Sequence, residues 1–155
     1  WSSDVCSSDL ELVEKLKVVL ANTFTMYMKT HGYHWNVIGS DFPQYHDFFG
    51  DIYGELHGAV DDIAEQLRQI NSFAPGSLQR MKELSGVAED DLIPAAPKMV
   101  TNLIAANDTV ITSIVECYKL AETAGEYGLS NFLQDRMMAH RKHGWMLKAT
   151  AGQKS

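Results

Sequence analysis

The sequence has little that would cross-link it: two cysteines in 155 residues, Cys6 and Cys117, in no metal-binding spacing. That excludes a disulfide framework and points to a reducing, cytoplasmic setting. No apolar run approaches the ~20 residues of a membrane-spanning helix. No basic-then-apolar leader marks the chain for export. Positive charge is scarce as well. Lys and Arg number 13 against 20 Asp and Glu, a net charge of −7 that does not favour nucleic-acid binding. The alternating apolar and polar pattern of half-buried strands is also missing.

Helical periodicity is what remains. The first ten residues, WSSDVCSSDL, carry the near-repeat SSDVC/SSDL and are expected to be a non-native or disordered leader. Leaving them out removes Asp4 and Asp9 and relaxes the net charge. One domain is expected over 11–150, with a disordered tail over 151–155. Leu12, Leu16, Val19, Leu20, Phe24 and Tyr27 share one helix face, and that helix is expected to run to about Trp35. Gly39 reads as a stop, and Ser40 or Asp41 as the next N-cap. Phe49, Ile52, Leu56, Val60, Ile63, Leu67 and Ile70 form the clearest stripe. Gly50, Gly54 and Gly58 recur beside it and predict a close helix–helix approach. A long connection over 71–94 includes a short helix near Ser77–Leu84. Pro97 suits the first turn of a third helix reaching about Thr123. Gly125 and Gly128 break the chain before a fourth helix over about 130–149. The fold class is therefore all-α. Four long helices with a long link between the second and third match the one-crossover plan of a ferritin-like four-helix bundle.

Metal-capable side chains concentrate between His31 and Glu65. Imidazoles and carboxylates together suit iron, manganese or zinc. The Glu-x-x-His motif of self-contained di-iron bundles is absent. Asp61 and Glu65, four apart on the second helix, share a face and can hold one cation. His46 stands fifteen residues earlier, about 22 Å away along the axis. It cannot share a metal with that pair in its own chain. His34, just before the turn, can converge with His46. The second helix thus has histidines at one end and carboxylates at the other. Two copies packed antiparallel about a twofold axis would complete two sites. Asp51, Glu55, His57 and Asp62 read as surface or cavity-lining groups. His140 falls on an apolar face and is expected to be packed or hydrogen-bonded.

The run His34-Trp35-Asn36-Val37, then Gly39, then His46, then Asp61-x-x-x-Glu65, with Trp145-Met146-Leu147 in the last helix, resembles the Dps family of mini-ferritins. The resemblance spans about Glu11 to Lys148. It implies a hollow dodecamer with ferroxidase sites at twofold interfaces. His34 and His46 would come from one subunit and Asp61 and Glu65 from its partner. It further implies oxidation of Fe²⁺ by hydrogen peroxide or O₂, storage of Fe³⁺ mineral, and protection from oxidative damage. Trp35 would then be an electron relay or interface packing. Many family members carry an Asp four residues after the second histidine. Here Gly50 stands there, and Asp51, one residue later and rotated by about 100°, is the remaining candidate for that metal ligand. The lysine-rich arm of DNA-binding members is also absent, so a DNA-compacting shell is the alternative that the charge does not support.

Overall fold

A computed structural model describes residues 7–153. Cys6 and the first six residues of the expected leader lie outside the described residues, as do Lys154 and Ser155. Five helices follow one another: α1 (Ser7–Asn36), α2 (Phe42–Gln69), the short α3 (Leu78–Leu84), α4 (Ala96–Thr123) and α5 (Tyr127–Thr150). No strand occurs among the described residues. No helix there is long and apolar enough to cross a membrane.

The helix ends follow from backbone chemistry. α2, α4 and α5 each close with one residue in the left-handed region: Asn71 (φ 69°), Gly125 (φ 73°) and Gly152 (φ 77°). In each, two amides turn back to satisfy orphan carbonyls. Ser72 N donates to Leu67 O, Glu126 N to Ala121 O and Gln153 N to Lys148 O, at 2.8–3.0 Å. The start of the expected tail is therefore an ordered helix cap. Gly39 (φ 129°) turns the chain between α1 and α2. Ser77 caps α3, its hydroxyl accepting from Arg80 N at 3.2 Å.

Two boundaries move relative to the sequence expectations. α1 begins at Ser7, inside the expected leader. Gly128 sits in the first turn of α5, so Gly125 alone breaks the chain there.

Pairs across α1 and α4 fix their sense. Lys15 meets Glu116, Asn22 meets Ser113, and Tyr33 meets Asn102, so the two helices run antiparallel. Short turns make α1/α2 and α4/α5 antiparallel, so α2 and α4 run parallel. The long link between them crosses the bundle. It is pinned at Asp90, which accepts from Tyr33, Lys29 and Asn102.

The stripe on α2 is the core. Phe49, Ile52, Leu56, Ile63 and Leu67 are buried, as are Leu12, Leu16, Val19 and Leu20 of α1. Each such side chain contributes about 1.5–3 kcal/mol by leaving water. Val60, Phe24, Tyr27 and Ile70 pack at the core edge. Of the glycine row, Gly50 alone serves packing within the subunit. A Cβ at Gly54 or Gly58 would meet nothing within 4 Å, whereas one at Gly50 would press on His34.

Candidate metal-binding half-sites

His34 sits in the last turn of α1 and His46 early in α2. The Gly39 turn folds them together, with ring centroids 3.7 Å apart and planes within 16°. Each ring is held by the other residue's main chain. His34 Nδ1 donates to the His46 carbonyl at 2.6 Å, and His46 Nδ1 donates to the His34 carbonyl at 2.7 Å. The His34 carbonyl is available because it belongs to the last turn of α1, where helix carbonyls lack intrahelical donors. A carbonyl only accepts, so both protons lie on Nδ1. When the rings are neutral, each Nε2 keeps its lone pair, the atom that binds a metal, and an outer partner fixes the ring.

Gly50 is part of this geometry. A Cβ there would lie 3.3 Å from both Cε1 and Nδ1 of His34. The bare backbone is what lets the imidazole lie flat against α2. Asp51 is exposed, one residue past the position that faces His34.

The carboxylate pair is exposed near the other end of α2. Hydrogen bonding to Asp61, and then its negative charge, raise the Glu65 carboxyl above its ordinary value, with slight burial and Asp62 adding. Two carboxyls held this close disfavour each other's ionised form. At about 100° per residue, His46, Gly50, Gly54, Asp61 and Glu65 all fall in one sector of α2 about 100° wide. Among the described residues, no three His, Cys, Asp or Glu gather closely enough to hold a metal.

Exposed apolar side chains flank the histidine pair: Trp35, Ile38 and Phe42. Trp35 lies 4.2 Å from His31, and His31 stacks on Tyr53 at 3.8 Å. Tyr27 Oη bonds His31 Nδ1 at 3.0 Å. Burial, then the neighbouring His34 and His57, lower the pKa of His31. Sequence reading missed this aromatic file. Its trace was there in Tyr27, His31 and Trp35 at four-residue steps, with Tyr53 seven residues after His46.

His57 and Asp62 are exposed, as expected, whereas Glu55 is half-buried. It reaches into the bundle and takes both Nη atoms of Arg136 at 2.5 and 3.0 Å. His143 Nε2 bonds it at 2.8 Å. His140 is fully buried and hydrogen-bonded, as its apolar face implied.

A family model described as the ferritin-like domain matches residues 13–154. General stress protein 20U of Bacillus subtilis is 30% identical over 142 residues, covering 92% of this chain and 98% of that protein. The DNA protection during starvation protein of Brevibacillus brevis is 27% identical, covering 84% and 87%. Among solved structures, a Dps protein from Vibrio cholerae O1 superposes with a TM-score of 0.88 at 26% identity, covering 92% and 90% of the two chains. It is described as a member of a broad superfamily of ferritin-like diiron-carboxylate proteins.

Proposed function

The chain belongs to the Dps mini-ferritins of the ferritin-like family, and on that footing we propose that it oxidises Fe²⁺ at sites shared between two subunits and stores the Fe³⁺ product inside a hollow homododecamer in the cytoplasm. The observation that carries this reading is the pair of half-sites on one face of α2. One has two imidazoles whose Nδ1 atoms are tied to main-chain carbonyls, leaving Nε2 to face outward chemistry, and the other has two carboxylates that meet on one helix face. A second copy laid antiparallel on that face brings His34 and His46 to the partner's Asp61 and Glu65, twice. The midpoint of the span falls at Gly54, which is bare and exposed. The same contact would cover Trp35, Ile38 and Phe42.

Each completed site offers two neutral nitrogens and two carboxylates, which suits a divalent iron and favours the trivalent product. Fe²⁺ is the substrate. Reducing peroxide to water takes two electrons and two protons, hence two Fe²⁺, and releases no hydroxyl radical. Gly50 brings no donor, so the second Fe²⁺ enters with fewer protein ligands and binds more weakly. Trp35, in contact with His31, supplies an electron path out of the site. DNA binding is the lesser reading, because the net charge is −7.

The test of sharing is complementation. A His34→Ala/His46→Ala variant and an Asp61→Ala/Glu65→Ala variant should each lose peroxide-driven Fe²⁺ oxidation. Co-expressed, they regain activity, because every mixed pair has one intact site. If the mixture stays inactive while assembling normally, the shared site is wrong.

A further inference from the structure

The surface charges are not evenly mixed. The second half of α5 carries Arg141, Lys142, Trp145 and Lys148. Steps of three and four residues set the three cations around the indole on one helix face. Trp145 is 59% exposed, and Met138, two turns earlier on that face, is exposed as well. None of the three cations forms an ion pair with another described residue. In a chain of net charge −7 this is a local reversal of sign. An exposed tryptophan beside an unpaired arginine is the composition of a contact surface, where both residue types are enriched.

The complement lies at the end of the bundle where the Gly39 turn meets the start of α4. An open groove of about 580 Å³ runs there, lined by Tyr45, Ile93, Pro94 and Pro97, with Asp41 in its wall. Ile38 lines it too, and so joins it to the exposed apolar side chains Trp35 and Phe42. Leu92 and Ile93 stand exposed on the link. Glu89 and Asp91, just before them, are exposed. Asp90 between them is taken up by Lys29, Tyr33 and Asn102. Asp41, Glu89 and Asp91 pair with no described cation. One surface is thus apolar with acid around it, and the other is apolar with base around it. Trp145 does not line the groove, so the two are not joined within the subunit.

Their placement decides what joining them would build. The last turn of α5, at Thr150, lies beside Asp41 and Tyr45, so the two surfaces sit side by side at one end of the bundle. A contact between unlike surfaces repeats from copy to copy, closing into a ring when the rotation allows and running on as a filament when it does not. Surfaces side by side require a large rotation at each step, which gives a small closed ring. We propose that Trp145 of one subunit enters the groove at Tyr45 and Ile93 of a second copy, with Arg141, Lys142 and Lys148 set against that copy's Asp41, Glu89 and Asp91. This deepens the proposed function and rests on its hollow assembly. The antiparallel contact across α2 is self-complementary and stops at two chains. A second, unlike contact joins such pairs into a closed container, and the chain carries both halves of it.

The test measures particle mass by sedimentation of the full chain in metal-free buffer. The natural chain should be larger than a dimer, and Trp145→Arg should fall to dimers. Arg141→Glu/Lys148→Glu should do the same, and so should Asp41→Lys/Asp91→Lys. A fourfold variant carrying both reversals keeps the complement with its signs exchanged, and it should recover the large particle. A foreign partner would not produce that recovery. Circular dichroism and thermal unfolding check that each variant is folded, and if Trp145→Arg is not, the charge reversals decide. The proposal is overturned by a natural chain no larger than a dimer, by large particles in folded Trp145→Arg or in either charge reversal, or by a folded fourfold variant that fails to reassemble. The shared iron site is read separately. The dimers should still oxidise Fe²⁺ with peroxide, and a loss of that activity counts against the shared site while the masses still decide this contact. Monomers in place of dimers would support this contact and sink the antiparallel one.

Discussion

Gly50→Ala should make the fold more stable and the metal site worse. Gly50 lies inside α2, where alanine is preferred over glycine by about 0.8–1.0 kcal/mol. For a chain of this size that corresponds to roughly 2–4 °C in Tm. Against this stands the new methyl group. Its Cβ would lie 3.3 Å from Cε1 and Nδ1 of His34, whereas comfortable carbon contacts lie at about 3.5–4.0 Å. The ring must retreat by a few tenths of an ångström. It cannot do so freely, because the His46 ring is stacked 3.7 Å away and is itself backed by Phe42 at 4.9 Å. The displacement therefore passes through both imidazoles and loosens the two carbonyl bonds at 2.6 and 2.7 Å. Losing such outer partners typically costs about 10–100-fold in metal affinity.

The assay pairs thermal unfolding in a chelator with an anaerobic Fe²⁺ or Co²⁺ titration. The expected result is a Tm that holds or rises by a few degrees together with at least a tenfold weaker metal affinity. Unchanged affinity in the variant would refute the claim that bare backbone at residue 50 sets the His34 ring.

Glu55→Gln should lower stability in urea by about 3 kcal/mol, the low end for breaking a buried ion pair, because the Glu55 side chain is 35% exposed and partly screened; a loss under about 1 kcal/mol would mean that Arg136 finds another partner. His140 has a folded pKa below its unfolded one, so its contribution is fully present above pH 6.5 and drains as pH falls toward about 3, at up to ~1.4 kcal/mol per pH unit. Urea midpoints at pH 7, 6 and 5 should therefore fall more steeply in the natural chain than in His140→Gln, and equal slopes would contradict the buried neutral ring. Asp61→Asn should let Glu65 ionise at lower pH, as followed by carboxyl NMR in metal-free protein, since the Asp61 hydrogen bond and charge are what raise it; an unmoved titration would show that the two carboxyls do not face each other.

What the sequence revealed and what it hid divide along a physical line. Helix faces are written at short range, so the α2 core stripe and the shared face of Asp61 and Glu65 were legible from spacing alone. The separation of His46 from that pair was legible too, because helix rise is a constant. The convergence of His34 and His46 needed only a short turn, and Gly39 announced one. The reciprocal carbonyl clamp was not legible. It depends on where α1 runs out of intrahelical donors, and helix ends drift by a residue or two with tertiary context. Gly50 shows the same limit from the other side. As one letter it reads as a lost ligand, whereas in three dimensions it makes room for a ligand's ring. The Arg136 circuit was hidden most completely, since Glu55 and Arg136 are 81 residues apart. No local pattern marks a buried arginine as the partner of one glutamate among many. Such a pair becomes visible only when two helices are packed and every buried donor must find an acceptor. By that accounting Arg136 Nε is, among the described residues, the buried side-chain atom that does not, and only the packed bundle reveals it.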